Sequence, residues 1–225
     1  MDHYAALSAI LDDRSSCRQF LPDQVPRDMI EQLLQLGQRT PSWCNTQPWQ
    51  VVVTEGPATD RFRKALVEHV QSGVAPSPDF AFPGQYTGAF RQRRKDCGLQ
   101  LYDSVGIAKG DHDATMRQAL RNFELFDAPH VAIVTTEADL GVYGAVDCGL
   151  YINTFLLGAQ SLGLAAAPQA ALASYSPFLR EYFELPDNRQ VVVGIAFGYA
   201  DRDHPINQFR TARETLDNVV TWHTD

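Results

Sequence analysis

The sequence predicts an α+β fold, and three observations carry that prediction. Short apolar runs of strand length occur at 50–54, 130–136 and 190–199, helix-spaced apolar stripes lie around them, and the two alternate irregularly rather than as a βαβ repeat. Residues 2–13 read as a helix, with Asp2 placed to cap it and Tyr4, Leu7, Ile10 and Leu11 along one face. A second helix follows Pro26, which sits where a first-turn proline belongs. Met29, Ile30, Leu33 and Leu34 form its stripe, and Gly37 is placed to end it. Continuous apolar strands such as Gln190–Tyr199 imply cover on both faces of the sheet.

Residues 72–95 have a different texture, with Pro76, Pro78, Pro83, Gly84 and Gly88 leading to Arg91-Gln92-Arg93-Arg94-Lys95. They predict a long loop or lid, the core of a loosely constrained insert over about 72–118. The basic run itself has the texture of a solvated helix face. From Gly144 to Leu162 apolar residues surround the helix instead of forming one stripe, so this helix is expected to be buried in the chain or in an interface. Gly163 closes it, Leu164–Pro168 is a short extended piece, and Ser176-Pro177 opens a further helix through about Glu184. After Tyr199 the chain has no apolar periodicity until Leu216, Val219, Val220 and Trp222, the pattern of a tail that wraps over something. No repeat or linker divides the chain, which predicts one domain over residues 1–225.

With 225 residues, 44% of them hydrophobic and 20% charged, the chain has the composition of a globular protein able to bury a sizeable core. A formal charge of −8 argues against a nucleic-acid or anionic-membrane partner, both of which need a concentrated basic face. The first residues lack a basic segment followed by an apolar one, and no run approaches about 18 apolar residues, so the expected location is the cytoplasm. Cys17, Cys44, Cys97 and Cys148 are far apart and signal neither a zinc cluster nor a dithiol site. The usual dinucleotide, P-loop, zincin and hydrolase motifs are absent, and the six histidines have no metal-ligand spacing. His130, at the head of a strand, reads as structural rather than as a base.

Two arginine-rich segments remain. Arg14-Ser15-Ser16-Cys17-Arg18 places two guanidiniums and two hydroxyls just after a helix, a set suited to a phosphate or to the polar edge of a heterocycle. The same residues also suit a helix C-terminus where Arg14 satisfies the last carbonyls. Arg210 and Arg213 offer a second pair in the tail, with surface charge as the plain alternative.

Taken in chain order, these pieces resemble the FMN-dependent nitroreductase family. R-S-S-C-R-Q-F at 14–20 is similar to its opening motif, and P-S-W-C-N-T-Q-P-W at 41–49 is similar to its most specific one. R-N-F-E-L-F-D-A-P-H-V at 121–131, G-L-A-A-A-P-Q-A-A at 163–171 and the tail through R-E-T-L-D-N-V-V-T-W at 213–222 complete the likeness. R-Q-R-R-K-D-C-G-L-Q-L-Y at 91–102 and I-N-Q-F-R-T-A-R at 206–213 resemble the nitrobenzoate and nitroaromatic reductase group within it. The resemblance implies a central, mainly antiparallel mixed sheet flanked by helices, in an interlocked homodimer whose C-terminal tail wraps the partner. It implies FMN as cofactor, NADH or NADPH as electron donor, and small nitroaromatics, with quinones second, as substrates.

By the same resemblance Arg14, Ser15, Ser16 and Arg18 would bind FMN, Arg18 at the pyrimidine edge, while Arg210 and Arg213 would hold the phosphate. Asn122 would face the polar edge of the ring, and the Pro168-Gln169-Ala170 segment would point a main-chain N–H at N5. Pro41, Ser42, Trp43, Asn45 and Gln47 would belong to the partner's site across the interface. The flavin carries the chemistry, so no side-chain nucleophile is required. Gln169-Ala170 stands where the family often has Glu-Gly, and Leu125 where a basic residue is often seen. Other flavin enzymes on this scaffold, a reductive dehalogenase or a flavin-cleaving enzyme, stay open, as do a non-enzymatic flavin-binding protein and a flavin-free structural dimer.

Overall fold

The computed structural model of the chain describes residues 2–224. Four strands, β1 (Gln50–Thr54), β2 (His130–Glu137), β3 (Ala165–Gln169) and β4 (Arg189–Gly198), form one sheet in the order β1-β2-β4-β3. Each neighbouring pair is antiparallel, and the parallel element is an isolated bridge from Ser16 to Ala166. The inner strands β2 and β4 are buried along almost their whole length, as their unbroken apolar runs require.

Among the described residues eight α-helices surround the sheet: α1 (His3–Asp13), α2 (Arg27–Gly37), α3 (Pro57–Gln71), α4 (Gly88–Ser104), α5 (His112–Leu120), α6 (Gly141–Ser161), the single turn α7 (Ala170–Ala173) and α8 (Ser176–Tyr182). Asp2 caps α1 by accepting the N–H groups of Tyr4 and Ala5 at 3.0 and 3.2 Å. Pro26 is the N-cap of α2, one position before the first helical turn the sequence suggests. One face of the sheet, with Ala132, Val134, Ile195 and Phe197, packs on Leu33 of α2 and on Cys148, Tyr151, Phe155 and Ala159 of α6. The alternate residues Val131, Ile133, Val191 and Ala196 face Phe62 and Leu66 of α3, Leu172 of α7 and Leu179 of α8. Burying each Val, Leu, Ile or Phe among these contributes about 1.5–3 kcal/mol. Gly144 lets α6 approach β2, because a Cβ there would lie 2.5 Å from Thr136 Oγ1.

His130 is buried between the layers: Nδ1 faces the Thr54 carbonyl at 3.2 Å, and Nε2 accepts the Val25 N–H at 2.9 Å. Both ring nitrogens are therefore used structurally by a neutral imidazole. Residues 72–87 are irregular, as the prolines and glycines imply, but 88–95 are the first turns of α4 rather than loop. This helix buries no residue completely and has no apolar stripe, so it carried no periodic signal.

Helix α6 is buried along one side and open along the other, where Val142, Tyr143, Val146 and Leu150 are exposed in the single chain. With residues 138–140 it is long and apolar enough in composition to cross a bilayer, unlike the sequence expectation, yet it lies across the sheet as a core helix. Tyr4, Leu7 and Leu11 of α1 and Leu216, Val219 and Trp222 of the tail are likewise uncovered.

Candidate functional site

After α1 the chain runs extended, and Cys17 and Phe20 turn into the core while Arg14, Ser15, Ser16 and Arg18 stay half-buried. The Cys17 N–H donates to the Ala166 carbonyl and the Phe20 N–H to the Phe126 carbonyl, both at 3.2 Å. Asn207 then clamps the tail to this segment. Its Oδ1 accepts the Arg18 N–H at 2.8 Å, and its Nδ2 donates to the carbonyls of Gln19 and Asp201 at 2.8 Å. The clamp brings Phe209, Arg210, Thr211 and Arg213 opposite Arg14–Arg18, and together they line a cavity of about 360 Å³ that Cys97 of α4 also reaches.

Four guanidiniums thus converge, with the exposed Asp12 as the acid at the rim. Arg18 donates to the Ser16 carbonyl and lies 5.6 Å from the centre of the Phe209 ring. Arg210 donates to the carbonyls of Asn207 and Phe209, and Arg213 to those of Thr211 and Ala212 and to the Thr211 hydroxyl. Among the described residues no carboxylate pairs with any of the four. Burial, and then the charges of Arg213 and Arg210, lower the pKa of Arg14, while burial lowers that of Arg18. In a chain of net charge −8 this is a local positive field suited to an anion.

Farther along β3 from the bridge at Ala166, Gln169 is buried and its Nε2 donates to the Asn122 carbonyl at 2.7 Å. Its Oε1 is buried without a partner, an acceptor open to a donor from water or a ligand. Pro168 and Ala170 beside it are exposed, and the Asn122 side chain donates to the Ala119 carbonyl at 3.1 Å. Next comes a left-handed turn, with φ of 58°, 53° and 63° at Leu125, Phe126 and Asp127. Arg121 straps it through Asp127 at 2.7 Å and reaches Gln19 at 3.0 Å, which joins this turn to the Arg14–Arg18 segment. Burial and its two acidic partners act oppositely on Arg121, with a net rise in its pKa, and the Arg121 hydrogen bond lowers that of Asp127.

None of Pro41, Ser42, Trp43, Asn45 and Gln47 lines the arginine cavity of its own chain. They form a separate lip at the outer side of α6. Cys44, Asn45 and Gln47 have φ of 49°, 56° and 48°, the Gln47 N–H donates to Ser42 Oγ at 2.9 Å, and Trp43 packs edge-on against Tyr143 with ring centres 4.3 Å apart. On α4, Arg93 pairs with Glu214 of the tail and Arg94 lies over Tyr86 at 5.1 Å, so the basic run is a helix face with two of its cations already engaged.

Sequence reasoning missed Cys97, Phe209 and the clamp Asn207. The last two lie inside the I-N-Q-F-R stretch and were legible there as pattern without role. Cys97 lies likewise inside the R-Q-R-R-K-D-C-G stretch, and only the position of α4 shows that it reaches the cavity.

A family model described as "Nitroreductase family" matches residues 11–199. The chain is 34% identical to nitroreductase NfnB of Mycolicibacterium smegmatis, over 98% of this chain and 94% of that protein. It is also 34% identical to a 4-nitrobenzoate reductase of Nocardioides sp., over 98% and 91% of the two chains. The crystal structure of the FMN-dependent nitroreductase NfnB from Mycobacterium smegmatis in complex with NADPH superposes with a TM-score of 0.93 at 32% identity, covering 99% of this chain and all of that one.

Proposed function

Because the chain belongs to the nitroreductase family, we propose that it is an FMN-dependent NAD(P)H oxidoreductase that reduces nitroaromatic compounds, nitrobenzoates among them. The observation that carries this reading is the cavity in which Arg14, Arg18, Arg210 and Arg213 converge over two serine hydroxyls, with no carboxylate paired to them among the described residues. That donor set fits a phosphate and a polar ring edge, and the unpartnered Gln169 Oε1 fits a site completed by a further donor. When bound, FMN supplies two-electron transfer from NAD(P)H to the nitro group or to a quinone.

The chain's own residues bind and orient. Arg14, Ser15, Ser16, Arg210 and Arg213 hold the phosphate and ribityl end. Arg18, kept in place by Asn207 and Phe209, presents positive charge to the pyrimidine edge, where negative charge develops on reduction. Asn122 would face the polar edge of the ring, and the Pro168-Gln169-Ala170 segment would point a main-chain N–H at N5. The working unit is a homodimer in the cytoplasm. The uncovered apolar residues of α1, α6 and the tail support the dimer, since large apolar side chains left exposed in such number favour cover. In the dimer Pro41, Ser42, Trp43, Asn45 and Gln47 close over the partner's flavin, and the tail wraps the partner.

The test is an absorbance spectrum of the purified protein before and after anaerobic NADH or NADPH, followed by a nitroarene panel. Flavin bands that bleach with the nucleotide and return with a nitroarene are expected. A colourless protein, or a yellow one that neither nucleotide bleaches, refutes the proposal.

A further inference from the structure

Asp147 lies on α6 between the exposed Val146 and the buried Cys148, and is itself only 5% exposed. Among the described residues no Lys or Arg side chain lies within 4.0 Å of its carboxylate. Its hydrogen-bond partner is the main-chain N–H of Trp43, shared between Oδ1 at 3.2 Å and Oδ2 at 3.1 Å. A buried carboxylate without a cation is costly to keep, and one main-chain N–H only partly offsets that cost.

What the carboxylate holds is the strained lip. Three of its residues, Cys44, Asn45 and Gln47, have left-handed backbones without being glycine, and such geometry persists only where its surroundings over-determine it. Within the lip itself the main-chain bonds are Asn45 N–H to Ser42 O at 3.1 Å and Thr46 N–H to Trp43 O at 3.0 Å. The far end is tied by Arg189, 2% exposed, which donates to the Pro48 carbonyl at 3.2 Å. The near end has Asp147.

We propose that Asp147 is a positioning residue: through the Trp43 N–H it holds the 42–47 lip in the strained conformation that presents Asn45 and Gln47 outward, to the partner subunit's site. This rests on the reading above that the lip closes over the partner's flavin.

The test compares Asp147→Ala and Asp147→Asn in the full-length protein by hydrogen exchange of the 42–47 segment, FMN titration of the apoprotein, and steady-state kinetics with nitrobenzene. Asp147→Ala is expected to speed exchange of the Trp43 amide about tenfold, and to weaken FMN binding and raise KM by a similar factor, the scale of one lost charge-assisted hydrogen bond, with kcat little changed. Asp147→Asn keeps an acceptor oxygen and is expected to restore most of the three. Should Asp147→Ala fail to fold, Trp43→Pro against Trp43→Ala isolates the same N–H, since both variants lose the ring contact with Tyr143 and differ in the N–H. Wild-type exchange in Asp147→Ala, or in Trp43→Pro relative to Trp43→Ala, overturns the proposal. Faster exchange with unaltered FMN affinity and KM overturns instead the placement of the lip at the flavin.

Discussion

Replacing Arg14 by alanine separates a ligand-binding arginine from a helix-capping one by the sign of two measurements. The Arg14 main-chain N–H closes the last turn of α1 on Ile10, but its guanidinium takes no helix carbonyl and instead faces Arg210 and Arg213 across the cavity. In the ligand-free protein these like charges repel, so removing one leaves the apoprotein unchanged or more stable, by at most about 0.5 kcal/mol after solvent screening. With FMN bound the same change removes a charge-assisted hydrogen bond to phosphate, worth about 1.5–3 kcal/mol. Arg14 is half-buried, so the low end applies, which is about a tenfold rise in the Kd for FMN. Arg14→Lys keeps the charge but not the planar fork and should fall between. Fluorescence titration of FMN into apoprotein, with melting curves of both forms, measures the pair. Unchanged FMN affinity, or an apoprotein Tm that falls with it, refutes the reasoning and returns Arg14 to a structural role.

Stability should fall as pH drops below 6.5, the ordinary histidine pKa, because burial lowers the pKa of His130 and protonation would set an N–H against the Val25 N–H it now accepts. The loss spans the window between 6.5 and the lowered folded value. It stands apart from the carboxylate window below about pH 4, where the depressed Asp127 and the Glu214 carboxyl, held at about 2, protonate. Urea midpoints from pH 8 to 5 check this, and a slope that persists in His130→Gln contradicts the assignment. Glutamates at both Val146 and Leu150, on the open side of α6, should yield a monomer by light scattering that has lost its FMN; a dimer that keeps flavin would refute the proposed interface.

The inner strands and the helices α2 and α6 were legible because burial imposes a period on sequence: both faces covered for β2 and β4, one stripe for α2, a largely apolar surface for α6. Helix α1 was read from its cap Asp2 and an apolar stripe that the single chain leaves exposed, and α8 from Ser176-Pro177. Helix α4 was not read as a whole, since it has no buried stripe and stands by contacts such as Arg93 to Glu214 that lie far apart in the chain, and α3 and α5 were passed over, α3 although it buries Phe62 and Leu66. The candidate site divides along the same line. Its residue types were readable as motifs, and Arg14–Arg18 could be suspected of anion binding from side-chain chemistry alone.

The sequence by itself determined which segments bury their side chains and which groups are available for chemistry, because hydrophobic period and functional groups are local properties. Only the tertiary structure decided that Asn207 brings the tail arginines to Arg14 and Arg18, and that among the described residues no carboxylate pairs with them. It also decided that the Pro41–Gln47 lip stands on α6 away from its own chain's cavity, anchored by Asp147. Those are relations between residues more than 100 positions apart, and they exist only once the chain has closed.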